Sequence, residues 1–576
     1  MTSIIFNKVA IASYFPVFSW LKNYTRSDFN SDWFAGIITA ILLIPQGIAY
    51  AILAGLPPQL GLYASILPPV IYALLGTSRT LSVGPVSIAA IMIASVLQTP
   101  EIQQLGNPVE SALILAAACG LIMLGMALFN MGGMVNFISH PVLTGFTSGA
   151  SLLIIFSQIA PVLGLKEAQC ALNLNCYLSY LQGFNAYSLS MALSVLSLLF
   201  IFSTPLPASL KKLQFSTASV TAISKCGPLL AVIFSTSAVS YFDLHQTQHL
   251  AIVGNITAGF PKLTFSFSNM DKWRLLLPSA AFIALIAYVE SVAIAKVTAN
   301  LRGEKISPNQ ELIALGCANL TTAVSGGMPV AGGFSRTMVN FSAGAKTQMA
   351  MLIAASILSL AVMYFSAWFT NIPKAALAAI ILMAILPLVK LRSIVHTWRY
   401  DPGDGLAELA TLVGVLSFGI EQGIALGIAL TIISFMRKSS QPHIAVVGRI
   451  PATEHFRNIK RHQVETFEQL LLLRVDDNIT FANIDFIEKF LLNELKLRPD
   501  TRHVVLIFTS VSDIDMTALE ALENLNQSIQ ASGLTLHLAE TKGPVLDKLA
   551  KTDFLAQLKP GKVFFRTQDA VTELTQ

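Results

Sequence analysis

The chain has 576 residues, of which 54% are hydrophobic and only 12% are charged. A soluble domain is about a quarter charged, so this composition indicates a polytopic membrane protein. The net charge of +5 is modest and requires no nucleic-acid partner, because basic residues flanking membrane spans account for it. The sequence contains no phosphate-binding P-loop, which argues against an ATP-driven pump, and we expect no enzyme activity.

Residues 1–30 are predicted to be a cytoplasmic N-terminal segment, because no cleavage site follows an apolar core. Residues 31–437 contain successive apolar runs near the roughly 20 residues that cross a bilayer. Two short elements near 80–97 and 329–345 bring the total to about 14 spans. The longer candidates are 33–54, 58–76, 110–130, 140–160, 186–205, 224–242, 276–297, 311–327, 347–368, 373–389, 403–418 and 420–437.

Lysine and arginine fall mainly on one side of this arrangement, which predicts cytoplasmic N- and C-termini. Compact loops favour a bacterial inner membrane. The loop with Cys170 and Cys176 then lies outside, where either a disulfide or two free thiols would fit. The basic residues on the predicted inner side are Lys22, Arg26, Arg79, Lys211, Lys212, Arg302, Lys305, Lys346, Lys390, Arg392, Arg399, Arg437 and Lys438.

Two short apolar stretches are interrupted in the same way, TLSVGPVSIAAIM at 80–92 and PVAGGFSRTMVNFSAG at 329–344. The spans divide into two sets of seven, near 33–205 and 222–437, with the broken element third in each. Seven is odd, so the second set is inverted and the two broken helices begin facing each other at the bilayer centre. Each N-terminus offers about half a positive charge and free N–H groups. Together with Arg336, they predict an anion pocket.

Glu290 is the outlying charge of its apolar span, and intramembrane carboxylates are costly enough to indicate function. It is predicted to take up a proton beside the substrate. The alternative is a permanent ion pair with a basic residue such as Arg336 that locks two helices together. Arg336 has the same two interpretations, substrate binding or ion pairing.

Gln46 and Tyr50 are four residues apart, so a helix places both on one face, toward one pocket. Hydrogen bonding between helices is their alternative role. Ser87 and Ser335 lie in the first turns of the broken helices, where helix capping would also explain a serine. Pro85 suits the first helical position, where its missing N–H costs nothing.

Residues 441–576 alternate between strand and helix patterns and are predicted to form a cytoplasmic α/β domain. IAVVG, QLLLLRV, HVVLIFTS, LTLHLAE and KVFFR are the predicted strands. FIEKFLLNELKL, MTALEALENLNQSIQAS and PVLDKLAKTDF are the predicted helices. No metal-ligand cluster and no cofactor motif is found.

The stretch PQLGLYASILPPVIYALLGTSR at 58–79 closely resembles the signature of the sulfate permease (SulP) family of anion transporters. IPQGIAYAILAGLPP, SVGPVSIAA, ESVAIAK and GGFSRTMVNFSAGAKT also resemble that family. Leu60 departs from the signature, which usually has an aromatic residue there. The resemblance covers residues from about 20 to 437, and the tail resembles the STAS domain of these transporters.

The resemblance implies a 7+7 inverted repeat with core and gate domains, an elevator-like movement and a homodimer. It assigns proton coupling to Glu290. The STAS turn matches DIDMTALE, where Asp515 and Thr517 remain but Met516 replaces a usual hydroxyl; a domain contact is therefore expected rather than phosphorylation. The substrate residues it implies are Gln46, Tyr50, Val86, Ser87, Ser335 and Arg336.

These observations predict a secondary active transporter that takes up sulfate with protons. Sodium- or proton-coupled transport of bicarbonate or a dicarboxylate is the alternative, and a passive anion channel is a further one. A sensor that signals through the STAS domain belongs to a different class. The composition does not distinguish these anions.

Overall fold

The computed structural model describes residues 15–136, 139–165, 183–214, 220, 223–224, 226–254, 256, 259–261, 263–265 and 267–575. The chain divides into two compact units, Met1–Ala429 and Leu430–Gln576. The division falls inside the last apolar helix rather than after it. Cys170 and Cys176, the candidates for a disulfide, lie outside the described residues.

The described part of the first unit is helical apart from a two-stranded ribbon, β1 (Val83–Gly84) and β2 (Ala331–Gly332). Short 3₁₀ turns occur at Met131–Asn136 and Leu386–Leu388. The helices are α1 Val17–Leu21, α2 Arg26–Leu53, α3 Pro58–Tyr63, α4 Leu67–Leu75, α5 Ser87–Leu97, α6 Pro100–Gln104, α7 Pro108–Leu128, α8 His140–Leu163, α9 Ala186–Ser203, α10 Pro205–Lys212, α11 Gly227–Tyr241, α12 Leu244–Thr247, α13 Met270–Arg302, α14 Pro308–Val324, α15 Phe334–Ser342, α16 Met349–Tyr364, α17 Ser366–Thr370, α18 Lys374–Ile385, α19 Leu391–Tyr400, α20 Pro402–Phe418 and α21 Ile420–Ser440.

Within the described residues, eight helical stretches are long and apolar enough to cross a membrane, and three shorter apolar helices accompany them. The predicted fold class, a polytopic helical membrane protein with a C-terminal α/β domain, is confirmed. The total of about 14 spans stays a prediction. Some bounds differ from the prediction: α13 has 33 residues, because Asn269 caps its first turn and Gly303 ends it with a φ of 69°.

The bounds of the two repeats, near 33–205 and 222–437, stay a prediction. Counting the predicted segments within those bounds gives six and eight, so two sets of seven with the interrupted element third in each require that α11 be counted with the first set.

Glycine allows the closest helix contacts in the first unit. A Cβ at Gly61 on α3 would lie 1.9 Å from the carbonyl oxygen of Gly47 on α2. A Cβ at Gly145 on α8 would lie 2.3 Å from the carbonyl oxygen of Glu408 on α20. Small residues at these crossings let the backbones approach, which is how apolar helices gain contact where lipid gives no hydrophobic advantage.

The second unit contains a six-stranded sheet in the order β4-β3-β5-β6-β7-β8. β5, β6, β7 and β8 are parallel, whereas β3 pairs antiparallel with both β4 and β5. The strands are β3 Ile444–Arg449, β4 Phe456–Asn458, β5 Leu470–Val475, β6 His503–Ile507, β7 Thr535–Ala539 and β8 Val563–Phe564. The helices are α22 Ile484–Lys496, α23 Met516–Ala531, α24 Gly543–Leu549, α25 Phe554–Gln557 and α26 Thr567–Leu574.

Both faces of this sheet are buried. Leu471 and Leu473 belong to one hydrophobic cluster, whereas Leu470 and Leu472 belong to another, as the two-residue period of a strand requires. The predicted strand QLLLLRV is confirmed as β5, and its continuous leucine run fits a strand that is buried on both faces. The short edge strand β4 and the final helix α26 were not predicted, and the predicted helix PVLDKLAKTDF is divided into α24 and α25.

A pair of histidines lies within the sheet. His537 is 2% exposed, and its Nε2 lies 3.2 Å from Nδ1 of His503, while its Nδ1 accepts a hydrogen bond from the Lys562 N–H at 3.1 Å. Burial, followed by the neighbouring His503, lowers the pKa of His537 to about 4. The folded unit therefore holds this ring neutral, and its protonation opposes folding.

We expect the second unit to lose stability as the pH falls from 6.5 toward 4. In this range the unfolded chain binds a proton on His537 and the folded unit does not. The neutral His537 therefore imposes no cost on folding above the unfolded pKa, and the free energy of unfolding falls as the pH drops below it. Urea unfolding of a 441–576 fragment should show a loss of roughly 2 kcal/mol between pH 7.5 and 5.0. His537→Gln should flatten this dependence; an unchanged slope would contradict the assignment.

Candidate functional site

The two interrupted segments pair with each other inside the first unit. Val83 pairs with Gly332 and Gly84 with Ala331 in antiparallel register, and the Gly333 N–H donates to the Ser82 carbonyl at 2.9 Å. α5 starts three residues after β1, and α15 starts two residues after β2. The pairing of two stretches about 250 residues apart agrees with the expectation that the two helix N-termini approach each other.

Buried amides satisfy the irregular backbone around the ribbon. Asn319 on α14 accepts from the Val330 N–H and donates to the Val330 carbonyl, both at 3.0 Å. Gln348 donates to the carbonyls of Ser78 and Leu81 at 2.7 and 3.0 Å, and Asn340 donates to the Thr80 carbonyl at 3.0 Å. These amide side chains satisfy backbone groups that water would satisfy outside a membrane.

Arg336 lies in the first turn of α15 and is 2% exposed. Its Nη1 donates to the Pro85 carbonyl at 2.7 Å and to Gln46 Oε1 at 3.4 Å, whereas Nε and Nη2 have no protein partner. A Cβ at Gly333 or Gly84 would lie 2.8 or 3.3 Å from Nη2. Glycine at these positions therefore allows the guanidinium to lie against the ribbon, with two donor nitrogens uncommitted.

Gln46 and Tyr50 lie on α2 at the same place, and both are at least nine-tenths buried. Gln46 is a hydrogen-bond partner of Arg336, and the Tyr50 hydroxyl interacts with Ser87 at the start of α5. Tyr50 also lies within the electrostatic influence of Arg336 and Glu290. The predicted grouping of these side chains is thus present, and Gln46 bonds to the site arginine.

Neither serine caps its helix. The N-cap residues are Val86 and Gly333, and neither helix receives a side-chain cap. The capping interpretation of Ser87 and Ser335 is therefore wrong, and the first N–H groups of both helices have no side-chain partner. Ser87 is half-buried beside Tyr50, whereas Ser335 is exposed, so its predicted contact with substrate stays a prediction.

Pro85 lies before α5 rather than at its first position. The helix begins at Ser87 after an extended Val86 with a φ of −129° and a ψ of 150°. Pro85 contributes its carbonyl oxygen to Arg336 instead. Pro85 therefore lies in the connection between the ribbon and α5, and its fixed φ is compatible with the extended backbone there.

Glu290 lies on α13 near this group. Its Oε2 is buried and accepts no hydrogen bond, and its charge interacts with that of Arg336. Among the described residues, Glu290 and Arg336 do not form an ion pair. This conformation therefore lacks the permanent ion pair that was the alternative role of Glu290. The next residue, Ser291, receives a hydrogen bond from the Gly332 N–H at 2.8 Å, which joins the Glu290 helix to the ribbon.

Two buried carboxylates fix the predicted cytoplasmic ends of the interrupted segments. Asp32 accepts from the Lys346 and Thr347 N–H groups at 2.6 and 3.1 Å, from Thr347 Oγ1 at 2.6 Å, and from Tyr24 Oη at 3.0 Å. Four donors therefore satisfy this buried carboxylate. Asp32 was not predicted from the sequence, although an acidic residue at the start of an apolar run marks the position.

Glu311 makes the matching arrangement at the other segment. It accepts from the Thr77 and Ser78 N–H groups at 2.8 and 3.2 Å, from Thr77 Oγ1 at 2.5 Å, and from Tyr72 Oη at 2.6 Å. Each carboxylate therefore binds two backbone N–H groups, one threonine and one tyrosine. We call Asp32 and Glu311 the carboxylate clamps.

The predicted STAS turn has a capping function in the second unit. Asp515 is the N-cap of α23, and its carboxylate accepts from the Ala518 and Phe481 N–H groups, both at 2.8 Å. Thr517 is exposed beside Met516, so its predicted contact with another domain stays a prediction. No group of metal-binding side chains is present among the described residues.

This architecture, an inverted pair of broken helices around a buried arginine with a separate α/β unit, defines a class of membrane transport proteins. The sequence model of the sulfate permease family matches residues 29–411, and that of the STAS domain matches residues 461–570. The chain belongs to the sulfate permease family.

Named relatives and solved structures agree with this placement. The chain is 33% identical to "Sulfate transporter 4.1, chloroplastic" of Arabidopsis thaliana, over 97% of this chain and 82% of that protein. It is 29% identical to "Low affinity sulfate transporter 3" of Stylosanthes hamata, over 97% and 90%. The inward-facing murine solute carrier 26 family member A9 anion transporter has a TM-score of 0.87 at 21% identity, covering 99% and 95%. The transmembrane domain of a cyanobacterial bicarbonate transporter has a TM-score of 0.59 at 20% identity, covering 71% and 98%.

We expect Glu311→Gln to destabilise the membrane unit, because an amide presents an N–H group to donors that now bind a carboxylate. The cost should be about 2 kcal/mol or more, as for loss of hydrogen bonds to a charged group. Thermal unfolding of the purified chain in detergent measures it. The exposed Glu101→Gln is the matched control, and equal melting temperatures for the two variants would contradict the clamp.

Proposed function

We propose that this protein is a secondary active transporter that takes up sulfate together with protons by alternating access. The observation that carries the proposal is Arg336, which is buried between two uncapped helix N-termini with two donor nitrogens uncommitted. A buried donor without a partner costs about 1–3 kcal/mol, which a bound anion recovers. A tetrahedral oxyanion offers enough acceptors for the guanidinium and both helix ends together.

We propose sulfate rather than another anion as the substrate, because relatives at about 30% identity are named sulfate transporters. The similarity to the bicarbonate transporter concerns the fold alone and does not identify the substrate. Bicarbonate and dicarboxylates are therefore tested as competitors of sulfate. Proteoliposome uptake of radiolabelled sulfate, with pH and sodium gradients imposed separately, tests both substrate and coupling. Uptake that follows the sodium gradient alone, or bicarbonate that competes at lower concentration than sulfate, would replace the proposal. Flux unaffected by either gradient would favour a channel.

Proton coupling is proposed for Glu290. Moving a divalent anion inward against 100 mV costs about 4.6 kcal/mol, at roughly 2.3 per charge, and co-transported protons offset this. Protonation of Glu290 removes the negative charge near Arg336 and so favours anion binding. Release of the anion and proton on the inside then restores the carboxylate.

The carboxylate clamps support an elevator-like movement. They tie the ends of both interrupted segments to α2 and α14, while Ser291 ties the ribbon to α13. The anion site and its surrounding helices are therefore suited to move together as one body against the remaining helices. We further propose that the protein is a homodimer in a bacterial inner membrane, with both termini in the cytoplasm, as the family resemblance and basic-residue distribution indicate.

We expect Glu290→Gln to abolish acceleration of sulfate uptake by an inward proton gradient while retaining sulfate exchange. The neutral amide resembles the protonated acid, so the anion still binds, but no proton is carried. Uptake and counterflow in the same proteoliposomes separate the two activities, and Glu101→Gln should behave as wild type. Proton-driven uptake that persists in Glu290→Gln would rule out this coupling residue.

We expect Arg336→Lys to raise the sulfate KM at least tenfold. A single ammonium cannot both bond the Pro85 carbonyl and present the two nitrogens that the guanidinium leaves uncommitted. Initial uptake rates over a range of sulfate concentrations measure the KM. The exposed Arg392→Lys is the charge-matched control, and an unchanged KM in Arg336→Lys would place the anion elsewhere.

A further inference from the structure

A basic pocket of about 280 Å³ lies in the second unit, apart from the residues assigned to transport. Three of its six lining residues are arginines and two are histidines, and none is a carboxylate. It is therefore suited to an anion. We call it the sheet-edge pocket; its lining residues are His443, Arg457, Asn458, Arg461, His462 and Arg474.

The pocket is built on regular structure. Arg457 and Asn458 lie on the edge strand β4 and pair with Gly448 and Val447 of β3. The next turn folds back, because the N–H groups of Arg461 and His462 both donate to the Asn458 carbonyl, at 3.0 and 3.1 Å. The backbone therefore holds two arginines on one short hairpin arm beside the end of β5.

The charges of this pocket are unequally compensated. Asp476 accepts from Arg474 at 2.5 and 3.0 Å and lies 2.7 Å from His443. Arg457 donates to the neighbouring Phe456 carbonyl at 3.3 Å. Among the described residues neither Arg457 nor Arg461 forms an ion pair, in contrast to Arg474. The guanidinium groups of Arg457 and Arg461 are therefore available to a ligand, and each can bind phosphate oxygens in bidentate fashion.

The size and position of the pocket indicate which anion it takes. On this measure one water requires about 10–15 Å³, so the pocket is many times larger than one water and accommodates a phosphate with a polar group attached. His443 follows Ser440, the last residue of α21, by three residues, which is at most roughly 10 Å of chain. The last turn of that apolar helix carries Arg437 and Lys438. Anionic headgroups are concentrated where such a helix leaves the membrane.

We propose that the sheet-edge pocket binds a phosphate-bearing anion, and that its source is the headgroup of an anionic phospholipid. The binding would hold the hairpin arm of the second unit at the membrane surface. It requires no part of the transport site, so it stands independently of the proposed substrate.

The test uses the full chain purified in detergent and titrated with dioctanoyl phosphatidylglycerol, dioctanoyl phosphatidylcholine or inorganic phosphate. Arg457→Gln/Arg461→Gln removes two pocket charges. Lys489→Gln/Lys551→Gln removes two exposed charges elsewhere in the same unit and is the matched control. Thermophoresis gives the Kd. We expect phosphatidylglycerol to bind roughly tenfold more weakly to the pocket variant than to wild type and control, with little binding of phosphatidylcholine.

The possible results distinguish the existence of the site from the source of its anion. Phosphate binding that is lost in the pocket variant, without any effect on phosphatidylglycerol, retains the anion site but overturns the phospholipid source. Equal affinities of the pocket and control variants for both anions would overturn the site. All residues changed are exposed, so circular dichroism of both variants should match wild type and exclude misfolding as the cause of lost binding.

Discussion

The pairing of the two interrupted segments is the constraint on which the membrane unit depends. An irregular backbone in a bilayer exposes N–H and C=O groups that lipid cannot satisfy, and each would cost several kcal/mol. Here the two segments satisfy part of that demand in each other, through β1 and β2, and the buried amides of Asn319, Asn340 and Gln348 bind further carbonyls of the segments and their flanks. Asn319, Asn340 and Gln348 are therefore as important to the site as any residue that would touch an anion.

That constraint also explains the electrostatics of the site. Because the ribbon ends where α5 and α15 begin, two sets of helix N–H groups are brought toward one place, and the glycines of the ribbon leave room for Arg336. The charge of Arg336 adds to that of the helix ends, and Glu290 lies near enough to interact with the arginine electrostatically. The carboxylate clamps differ from Glu290 in one respect. Each clamp accepts four hydrogen bonds and joins two distant parts of the chain, whereas one carboxylate oxygen of Glu290 accepts none from the described residues.

Predictions from periodicity and composition succeeded where local sequence decides the structure. The leucine run of β5 and the long apolar runs that form the helices depend on neighbours in the chain. Gln46, Tyr50, Val86, Ser87 and Arg336 were predicted from the broken segments, from helical spacing and from the family resemblance, and their role in binding substrate stays a prediction. Failures occurred where distant residues decide. The clamps Asp32 and Glu311 bind backbone more than 200 residues away, and the Pro85 carbonyl accepts from Arg336, which is as distant in the sequence.

The sequence by itself determined that the chain is a membrane protein with an α/β tail, that two helices are broken, that an arginine follows one break, and that a glutamate lies within a separate apolar span. Composition, period and glycine placement act locally, so they can be read along the chain. Only the tertiary structure decided that Arg336 keeps two nitrogens uncommitted, that neither serine caps its helix, and that Glu290 is not paired with the arginine. Hydrogen-bond partners and burial are set by side chains from other helices, whose approach no linear pattern records.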